Sequence, residues 1–253
     1  MVSGGSGAQM LRRLTPPGVS AFHVSVSIPR SRGDLQAFIR ARTAPTRVPL
    51  CPELAIYAAT EVTPLWHATA AELRDWDDSP FWAFPWAGGQ ALARWILDHP
   101  EVVRGRRVLD FAAGSGLVGL AAARAGAARV VAADIDPFCD AVVPLNADLN
   151  GLAVEAHGDD LLGLPLEGFD LVLAGDVFYE RALAARSLSW FGELVARGVP
   201  VLAGDPGRNY SPSAGVRPLA EYDVPSSSDV EAKDLLRARV LELLPDAAAG
   251  YGE

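Results

Sequence analysis

The strongest constraint on the fold is a regular alternation of short apolar runs and longer helical patterns between residues 107 and 203. Strands that alternate with helices form βαβ units, which build parallel sheets through right-handed crossovers. The chain is therefore predicted to form a doubly wound, mostly parallel α/β sheet. The predicted strands are 107–111, 129–133, 154–157, 169–174 and 199–203, and the predicted helices are 117–125, 137–149 and 180–196.

The segments on either side of this alternation extend the prediction. After it, apolar stretches at 216–224 and 236–244 predict a terminal antiparallel strand pair, with a short helix at 229–233 between them. Before it, residues 34–79 predict a helical N-terminal extension, with helices such as 34–41 and 68–76 joined by proline-containing turns. Residues 1–33 are predicted to be a disordered tail, although their arginines also permit an organellar transit peptide. Residues 80–253 form the main domain.

Charge balance and cysteine content exclude several classes of protein. Of 253 residues, 31 are acidic and 22 are Lys or Arg, and this net charge of −9 disfavours binding to duplex nucleic acid. Cys51 and Cys139 are too few for a disulfide framework or a zinc site, and no uninterrupted apolar run is long enough to span a bilayer. We expect a monomer that binds no metal, nucleic acid or membrane. Only Lys233 is a lysine, and arginine-rich usage typical of GC-rich bacterial coding sequence favours the cytoplasm over a mitochondrial matrix.

A glycine loop, Gly114-Ser-Gly116-Leu-Val-Gly119, follows the first predicted strand and opens a predicted helix. Its backbone amides and the positive helix end can face an anionic or polar ligand. Asp134 lies at the end of the second strand, where a carboxylate can bind both hydroxyls of a ribose. Gly114, Gly116 and Asp134 therefore predict a site for NAD or for S-adenosylmethionine (SAM), the alternative being a tight turn with a helix N-cap.

Asp110, just before the glycine loop, distinguishes between NAD and SAM as the predicted cofactor. A carboxylate here would repel a pyrophosphate but attract the ammonium and sulfonium of SAM. The stretch Asp110-Phe-Ala-Ala-Gly114-Ser-Gly116 resembles the D/E-x-G-x-G-x-G signature of class I methyltransferases, with Ala112 in the first glycine place. Such enzymes commonly place an acid after the third strand to accept a hydrogen bond from adenine. Asp159 or Asp160 occupies that place; spacing favours Asp159, and an ordinary acidic turn is the alternative.

The tetrapeptide Asp176-Val-Phe-Tyr179 leaves the fourth strand at the ligand-binding edge of the predicted sheet. Methyl transfer requires a neutral amine, whereas a free lysine has a pKa of about 10.4. A carboxylate can orient the ammonium and stabilise positive charge on the product, while the proton leaves to water. Alternatively, Asp176 caps the next helix and Tyr179 lies in the core. Nearby, Trp82 and Phe84 are predicted to be core, and Trp86 to offer its ring face to a sulfonium or ammonium.

Six segments carry a resemblance to a known family: PFWAFPWAGGQALAR from Pro80, VLDF from Val108, ADIDP from Ala133, LNADLN from Leu145, GDVFY from Gly175 and GDPGR from Gly204. Over about residues 38–245, the chain resembles the seven-β-strand lysine methyltransferases, above all those of the electron-transfer flavoprotein β subunit. The resemblance implies a seven-stranded sheet and SAM as cofactor, with Trp86 and Gly88 beside it. It also implies that Asp176 and Tyr179 face an acceptor lysine. The segment 204–208 either touches the protein substrate or is a plain turn.

These observations predict a SAM-dependent protein-lysine N-methyltransferase that acts on the electron-transfer flavoprotein β subunit. The alternative acceptors are another protein, such as a ribosomal protein, or a small amine. A nicotinamide-dependent oxidoreductase and a non-catalytic SAM-binding module are the alternatives from other classes. The predicted catalytic residues are Asp176 and Tyr179, and the predicted cofactor-binding residues are Trp86, Gly88, Asp110, Gly114, Gly116, Asp134, Asp159 and Asp160.

Overall fold

A computed structural model describes residues 31–59, 80–225 and 235–247. The predicted tail as far as residue 30 and the predicted helices at 68–76 and 229–233 lie outside the described residues. Short 3-10 helices occur at Phe81–Ala83 and Pro100–Val102. The helices are α1 (Arg32–Arg42), α2 (Ala87–Asp98), α3 (Leu117–Arg124), α4 (Pro137–Asn150) and α5 (Arg181–Ala196). The strands are β1 (Ala44–Val48), β2 (Cys51–Ala58), β3 (Arg107–Phe111), β4 (Arg129–Ala133), β5 (Glu155–His157), β6 (Leu171–Gly175), β7 (Val201–Asp205), β8 (Val216–Pro225) and β9 (Leu235–Leu243).

Seven of these strands form one sheet in the order β5-β4-β3-β6-β7-β9-β8. The five strands from β5 to β7 are parallel, and β9 and β8 complete the sheet as antiparallel neighbours. This confirms the doubly wound, mostly parallel sheet and the terminal antiparallel pair predicted from the sequence. The chain runs from β3 to β4 on one side and later returns to β6 on the other, so the order reverses between β3 and β6. The crevice at their carboxyl ends is where open α/β sheets bind ligands.

Alternating side chains of the central strands pack against opposite faces of the sheet. In β6, Leu171 and Leu173 join a buried cluster with α2 and α3, whereas Val172 and Ala174 join a second cluster with α5. This two-residue period is the geometry of a strand with both faces covered, and it explains why the strand reads as a continuous apolar run. The site is thus set on a buried, doubly packed frame.

The predicted bounds of β3 and β4 match the structure, whereas β6 and β7 each begin two residues later than predicted. Residues just before these two strands make additional hydrogen bonds of their own. The Asp170 carboxylate accepts hydrogen bonds from the backbone and side chain of Arg107, and the Val199 N–H closes the end of α5 by donating to the Leu194 carbonyl.

The prediction of a helical N-terminal extension is correct for α1 and wrong for the segment after it. That segment forms an antiparallel hairpin of β1 and β2, in which Leu54, Ile56 and Ala58 are buried at every second position. An alternating burial pattern fits a strand and not a helix. The outer edge of β2 is tied to α4, because Tyr57 N–H donates to Asn146 Oδ1 at 2.7 Å. Asn146 Nδ2 in turn donates to the Ser115 carbonyl, so one amide joins the hairpin to the glycine loop.

The start of α1 also differs from its predicted start at residue 34. Ser31 caps the helix, because its Oγ accepts from Asp34 N–H at 3.2 Å and the Asp34 carboxylate accepts from the Ser31 N–H. This capping box moves the start to Arg32, inside the predicted tail. None of the helices in the described part of the chain is both long and apolar enough to cross a membrane.

Candidate active site

A cavity of about 370 Å³ opens at the carboxyl edge of the sheet, at the predicted crevice. Its walls combine the glycine loop, the loops after β4, β5 and β6, and the aromatic segment before α2. Two predicted site residues, Gly88 and Gly116, do not line the cavity. The predicted site residues that do are Trp86, Asp110, Gly114, Asp134, Asp159, Asp160, Asp176 and Tyr179.

The glycine loop is held open by two acidic side chains. Gly114 N–H donates to Asp134 Oδ2 at 2.8 Å, and Gly119 N–H donates to Asp110 Oδ2 at 2.7 Å. Gly116 takes a positive φ of 76° where α3 begins, and a Cβ there would crowd Val143 at 3.0 Å. Gly116 therefore shapes the turn, and the neighbouring residues form the wall.

The backbone conformation of Ala112 explains why the methyltransferase signature has a glycine at this position. Its φ is +52°, in the left-handed region that favours glycine. An alanine there costs about 1–2 kcal/mol. The chain therefore carries a strained residue at the cavity wall, and alanine is the smallest side chain that can replace the glycine.

Burial dominates the electrostatics of the cofactor side. It raises the pKa of Asp110 to about 8, opposed by the Gly119 N–H and reinforced by the Asp134 carboxylate. Burial likewise raises the pKa of Asp134, although the N–H groups of Asp136 and Gly114 stabilise its charged form. A cation beside Asp110 and hydroxyl donors beside Asp134 would offset this cost. These two carboxyls fit the ammonium and the ribose of SAM, which has both groups.

Asp159 and Asp160 both line the far end of the cavity, but their side chains are engaged differently. Asp160 Oδ1 accepts from the Leu162 N–H at 2.9 Å, and its other oxygen lies 3.9 Å from Arg186. Asp159 is 87% exposed, with a 3.5 Å contact to His157. The carboxylate of Asp160 is thus used to form its own turn. Within the described residues, no group of three or more His, Cys, Asp or Glu side chains could hold a metal ion.

Asp176 occupies the opposite wall, in a conformation set by its backbone. Its φ is +58°, and its N–H donates to the Gly204 carbonyl at 2.9 Å. Asp176 Oδ2 accepts from the Gly89 N–H at 2.9 Å, at the first turn of α2. The alternative in which Asp176 caps the next helix is wrong, because Glu180 caps α5. A non-glycine residue held at positive φ is the kind of strain that clusters at functional sites.

Tyr179 and Trp86 complete this wall with Phe81. Tyr179 is 47% exposed and its ring lies 5.5 Å from that of Phe81, so the alternative that places Tyr179 in the core is also wrong. Trp86 donates from Nε1 to the Phe81 carbonyl, which fixes the indole at the cavity mouth. Trp82 and Phe84 are buried, which confirms them as core residues.

Gly88 has a packing role that the sequence did not reveal. A Cβ on Gly88 would strike the Gly204 carbonyl oxygen and lie 2.6 Å from Asp176 Oδ2. The glycine lets α2 approach β7 closely enough for the neighbouring Gly89 N–H to reach Asp176. Gly88 therefore supports the cavity wall that contains Asp176 from behind, and Gly89 lines the cavity.

Arg208 is a charged site residue that the sequence analysis did not single out. Its Nε and Nη2 donate to Asp176 Oδ1 at 2.9 and 2.6 Å, and its guanidinium lies 5.6 Å from the Trp86 ring centroid. The cation over Trp86 is thus a residue of the chain itself. The sequence signal that could have identified Arg208 is the Gly204–Arg208 motif, which lies at the carboxyl end of a parallel strand. From the sequence alone, a plain turn explains that motif equally well.

Comparisons with known proteins identify relatives of this chain. The family model of ribosomal protein L11 methyltransferase (PrmA) matches residues 94–175. The electron transfer flavoprotein beta subunit lysine methyltransferase of Xenopus laevis is 36% identical over 227 residues, which cover 87% of this chain and 89% of the relative. That of Homo sapiens is 35% identical over 219 residues, which cover 84% of this chain and 83% of the relative.

Among solved structures, SAM-bound magnesium protoporphyrin IX methyltransferase from Synechocystis PCC 6803 is similar to this chain with a TM-score of 0.47 and 15% identity. The alignment covers 74% of this chain and 98% of that one. The similarity to the lysine methyltransferases extends over most of both sequences. The chain belongs to the electron transfer flavoprotein beta subunit lysine methyltransferase family and is a SAM-dependent methyltransferase.

Proposed function

We propose that this chain transfers methyl groups from SAM to lysine side chains of the electron-transfer flavoprotein β subunit. The observation that carries the proposal is the single cavity onto which Asp110 and Asp134 open from one side and Asp176 from the other. A cavity that joins a cofactor wall to an acceptor wall suits group transfer between two bound partners. The identity with enzymes that bear this substrate in their names supports the choice of acceptor.

The cofactor side consists of residues with distinct roles. Asp110 attracts the ammonium of SAM, Asp134 accepts from the ribose hydroxyls, and the Gly114 backbone borders the cofactor. Asp159 accepts from the adenine amino group, because the carboxylate of Asp160 is engaged with its own turn. Gly116 and Gly88 contribute indirectly, by giving the loop and helix α2 the shape that the cavity needs.

When bound, SAM supplies a methyl group on a sulfonium: the acceptor nitrogen bonds to carbon, the sulfur keeps the electron pair of the broken bond, and a proton leaves the nitrogen for water. The chain positions the acceptor amine. Asp176, buried and fixed by the Gly89 N–H, can accept a hydrogen bond from the amine and orient it toward the methyl group. The half-exposed Tyr179 ring and the Phe81 ring form the wall along which the apolar stem of a lysine packs.

The alternative acceptors are weaker on specific grounds. The ribosomal protein L11 methyltransferase model ends at residue 175, immediately before Asp176, so it matches the cofactor side without the acceptor loops. A small amine would use only the bottom of the cavity and leave the exposed rings of Phe81 and Tyr179 without a role.

We further propose a monomer that acts in the cytoplasm on a protein partner and binds neither nucleic acid nor membrane. The net charge of −9 supports a partner that presents lysines and disfavours a polyanion. Arginine-rich, lysine-poor composition supports the bacterial cytoplasm.

The test is transfer of labelled methyl from SAM into purified electron-transfer flavoprotein from the same source, followed by peptide mass spectrometry. The expected result is label on lysines of the β subunit that disappears with Asp176→Asn. The matched control is Asp223→Asn, which changes an exposed carboxylate of β8 and should leave labelling unchanged. Tight SAM binding without label on the β subunit would contradict the proposed acceptor.

A further inference from the structure

Arg208 places a positive charge beside Asp176 on the acceptor wall, and the motif Asp176-Val-Phe-Tyr179 alone does not reveal this charge. Its guanidinium donates two hydrogen bonds to one oxygen of Asp176, while the other oxygen accepts from the Gly89 N–H. The side chain of Asp176 is 8% exposed and that of Arg208 is 21% exposed. At this burial an ion pair is screened little by water, so Asp176 presents a neutralised carboxylate to the cavity.

Arg208 is held in place by a network behind the wall. Asp205 is fully buried at the end of β7, and its carboxylate accepts from the N–H groups of Gly207 and Arg208 at 2.9 and 3.2 Å. The same carboxylate accepts from Ser211 Oγ, which in turn accepts from Arg239 Nη2 of β9 at 3.0 Å. The backbone that carries the guanidinium is therefore anchored to two strands of the sheet.

The loop is also joined to the acceptor motif itself. Tyr210 N–H donates to the Phe178 carbonyl, between Asp176 and Tyr179. The backbone of Arg208 is therefore anchored on both sides, and the two hydrogen bonds to Asp176 hold its guanidinium beside that carboxylate.

A fixed cation at this position has a chemical consequence for an amine that enters the cavity. A nearby positive charge disfavours the ammonium form, and a lone carboxylate would favour it. Only the unprotonated amine can attack the methyl group, because its nitrogen needs a free electron pair. An unneutralised Asp176 would bind the acceptor in its unreactive form.

We propose that Arg208 is a positioning residue for methyl transfer: by neutralising Asp176 it makes the acceptor subsite select the unprotonated amine. The inference rests on the proposed function and deepens it. Tyr179 lines the same wall, and Asp205 and Arg239 stand behind Arg208. The other charged groups that line the cavity are Asp110, Asp134, Asp136, Asp159, Asp160 and Arg186. These residues are the same in the wild type and in variants of Arg208, so a change in the pH dependence of the rate is attributed to the substitution of Arg208.

The test compares Arg208→Met with Arg208→Lys in single-turnover methylation of the flavoprotein at saturating SAM between pH 6.5 and 9.5. We expect Arg208→Met to move the midpoint of the rate profile upward by about one pH unit, the shift that one nearby charge produces. Its rate should fall about tenfold at pH 7 and recover toward the wild-type plateau at pH 9.5. Arg208→Lys retains the cation and should keep the wild-type midpoint, and Arg237→Met, an exposed arginine of β9, is the matched control.

Two results would overturn the inference. Loss by the same factor at every pH would show that Arg208 serves only to hold the loop together. A faster reaction for Arg208→Met at neutral pH would show that the guanidinium competes with the acceptor for Asp176.

A second measurement does not depend on the identity of the protein substrate. Binding of n-butylamine, which mimics the lysine side chain, is followed by NMR line broadening on protein loaded with S-adenosylhomocysteine. Affinity for the wild type should rise with pH as the neutral amine becomes available, whereas Arg208→Met should bind best where the ammonium predominates. Identical pH dependence in both proteins, or no saturable binding to the wild type, contradicts the inference. If butylamine binding shows this pH preference but no label appears on the flavoprotein, the proposed function is contradicted and the inference about Arg208 is not.

Discussion

On the cofactor side of the cavity, Asp110 and Asp134 accept hydrogen bonds from backbone N–H groups of the glycine loop, whereas Asp176 on the acceptor side shares its carboxylate between a backbone N–H and a guanidinium. Burial raises the pKa of both cofactor-side carboxyls, which a cationic, hydroxyl-rich ligand can offset. Asp176 is already compensated by a fixed cation. In the proposed function, the two walls therefore serve different partners: the Asp110 and Asp134 wall binds a positively charged cofactor, and the Asp176 wall binds an amine that reacts only when neutral.

The largest effect should come from removing the charge of Asp176. We expect Asp176→Asn to lower the methylation rate about 100- to 1000-fold, because the amine loses its carboxylate acceptor and the Arg208 guanidinium is left without a counter-charge beside the positive charge that develops on nitrogen. SAM affinity, measured by calorimetry, should stay within about twofold, because Asp176 belongs to the acceptor wall. A similar loss in SAM affinity and in rate would contradict the separation of the two walls.

Asp134→Ala should have the opposite signature. Loss of charged hydrogen bonds worth about 1.5–3 kcal/mol is expected to weaken SAM binding roughly 10- to 100-fold. The Gly114 and Asp136 N–H groups also lose their acceptor, so the loop loosens as well. Unaltered affinity by calorimetry would remove Asp134 from the ribose site.

The paired glycines of α2 test how the acceptor wall is supported. Gly88→Ala should destabilise the protein by about 1–3 kcal/mol, because its Cβ meets the rigid Gly204 carbonyl and Asp176. Gly89→Ala is the matched control: its Cβ would lie 3.9 Å from Val118, an ordinary contact, and alanine suits a helix better than glycine. Urea denaturation measures both variants. Equal stability would show that α2 can shift away from β7.

The raised pKa of Asp110 predicts a pH effect with a definite sign. In the ligand-free folded protein the carboxyl holds its proton up to about pH 8, whereas in the unfolded chain it ionises near its ordinary value of 3.8. Stability should therefore fall as pH rises from about 4 to 8, and Asp110→Asn should flatten this slope.

SAM binding should reverse the protonation of Asp110. Because the ammonium favours the ionised carboxyl, binding near pH 7 is expected to release up to about one proton, and Asp110→Asn should remove most of this release. Calorimetry in two buffers of different ionisation enthalpy measures the released proton. Binding by the wild type without proton release would place the ammonium elsewhere.

The smallest effect should distinguish Asp159 from Asp160. One hydrogen bond to adenine is worth about 1 kcal/mol, so Asp159→Ala should weaken SAM binding about fivefold. Asp160→Ala should act through its turn with Leu162 and change affinity less. The reverse ranking in calorimetric affinities would assign adenine to Asp160.

Local sequence signals were sufficient to predict the sheet and to place Gly114 and Asp134 together at its carboxyl edge. Strands with two buried faces read as apolar runs, and the glycine loop and Asp134 lie on consecutive βαβ elements, so their spacing is fixed by the fold. The β1–β2 hairpin was missed because its pairing partner and the Asn146 side chain that binds its outer edge are not visible in a local window.

The acceptor side depends on contacts between distant parts of the chain. Asp176 meets Arg208, 32 residues further on, and Gly88 meets Gly204. Neither contact leaves a periodic or compositional trace. Motif matching identified Asp176 and Gly88. It could not reveal that Asp176 is ion-paired with Arg208 or that Gly88 is a packing residue.

The central claim is that one wall of the cavity binds SAM and the other positions the acceptor amine. The most direct test is a single-turnover comparison of Asp134→Ala and Asp176→Asn, each measured at a SAM concentration that saturates that variant. Asp134→Ala should then methylate the β subunit within a few-fold of the wild-type rate, since its defect lies in binding. Asp176→Asn should remain about 100-fold slower or worse, because more cofactor cannot restore the acceptor wall. Equal rates for the two variants at saturation would contradict the account.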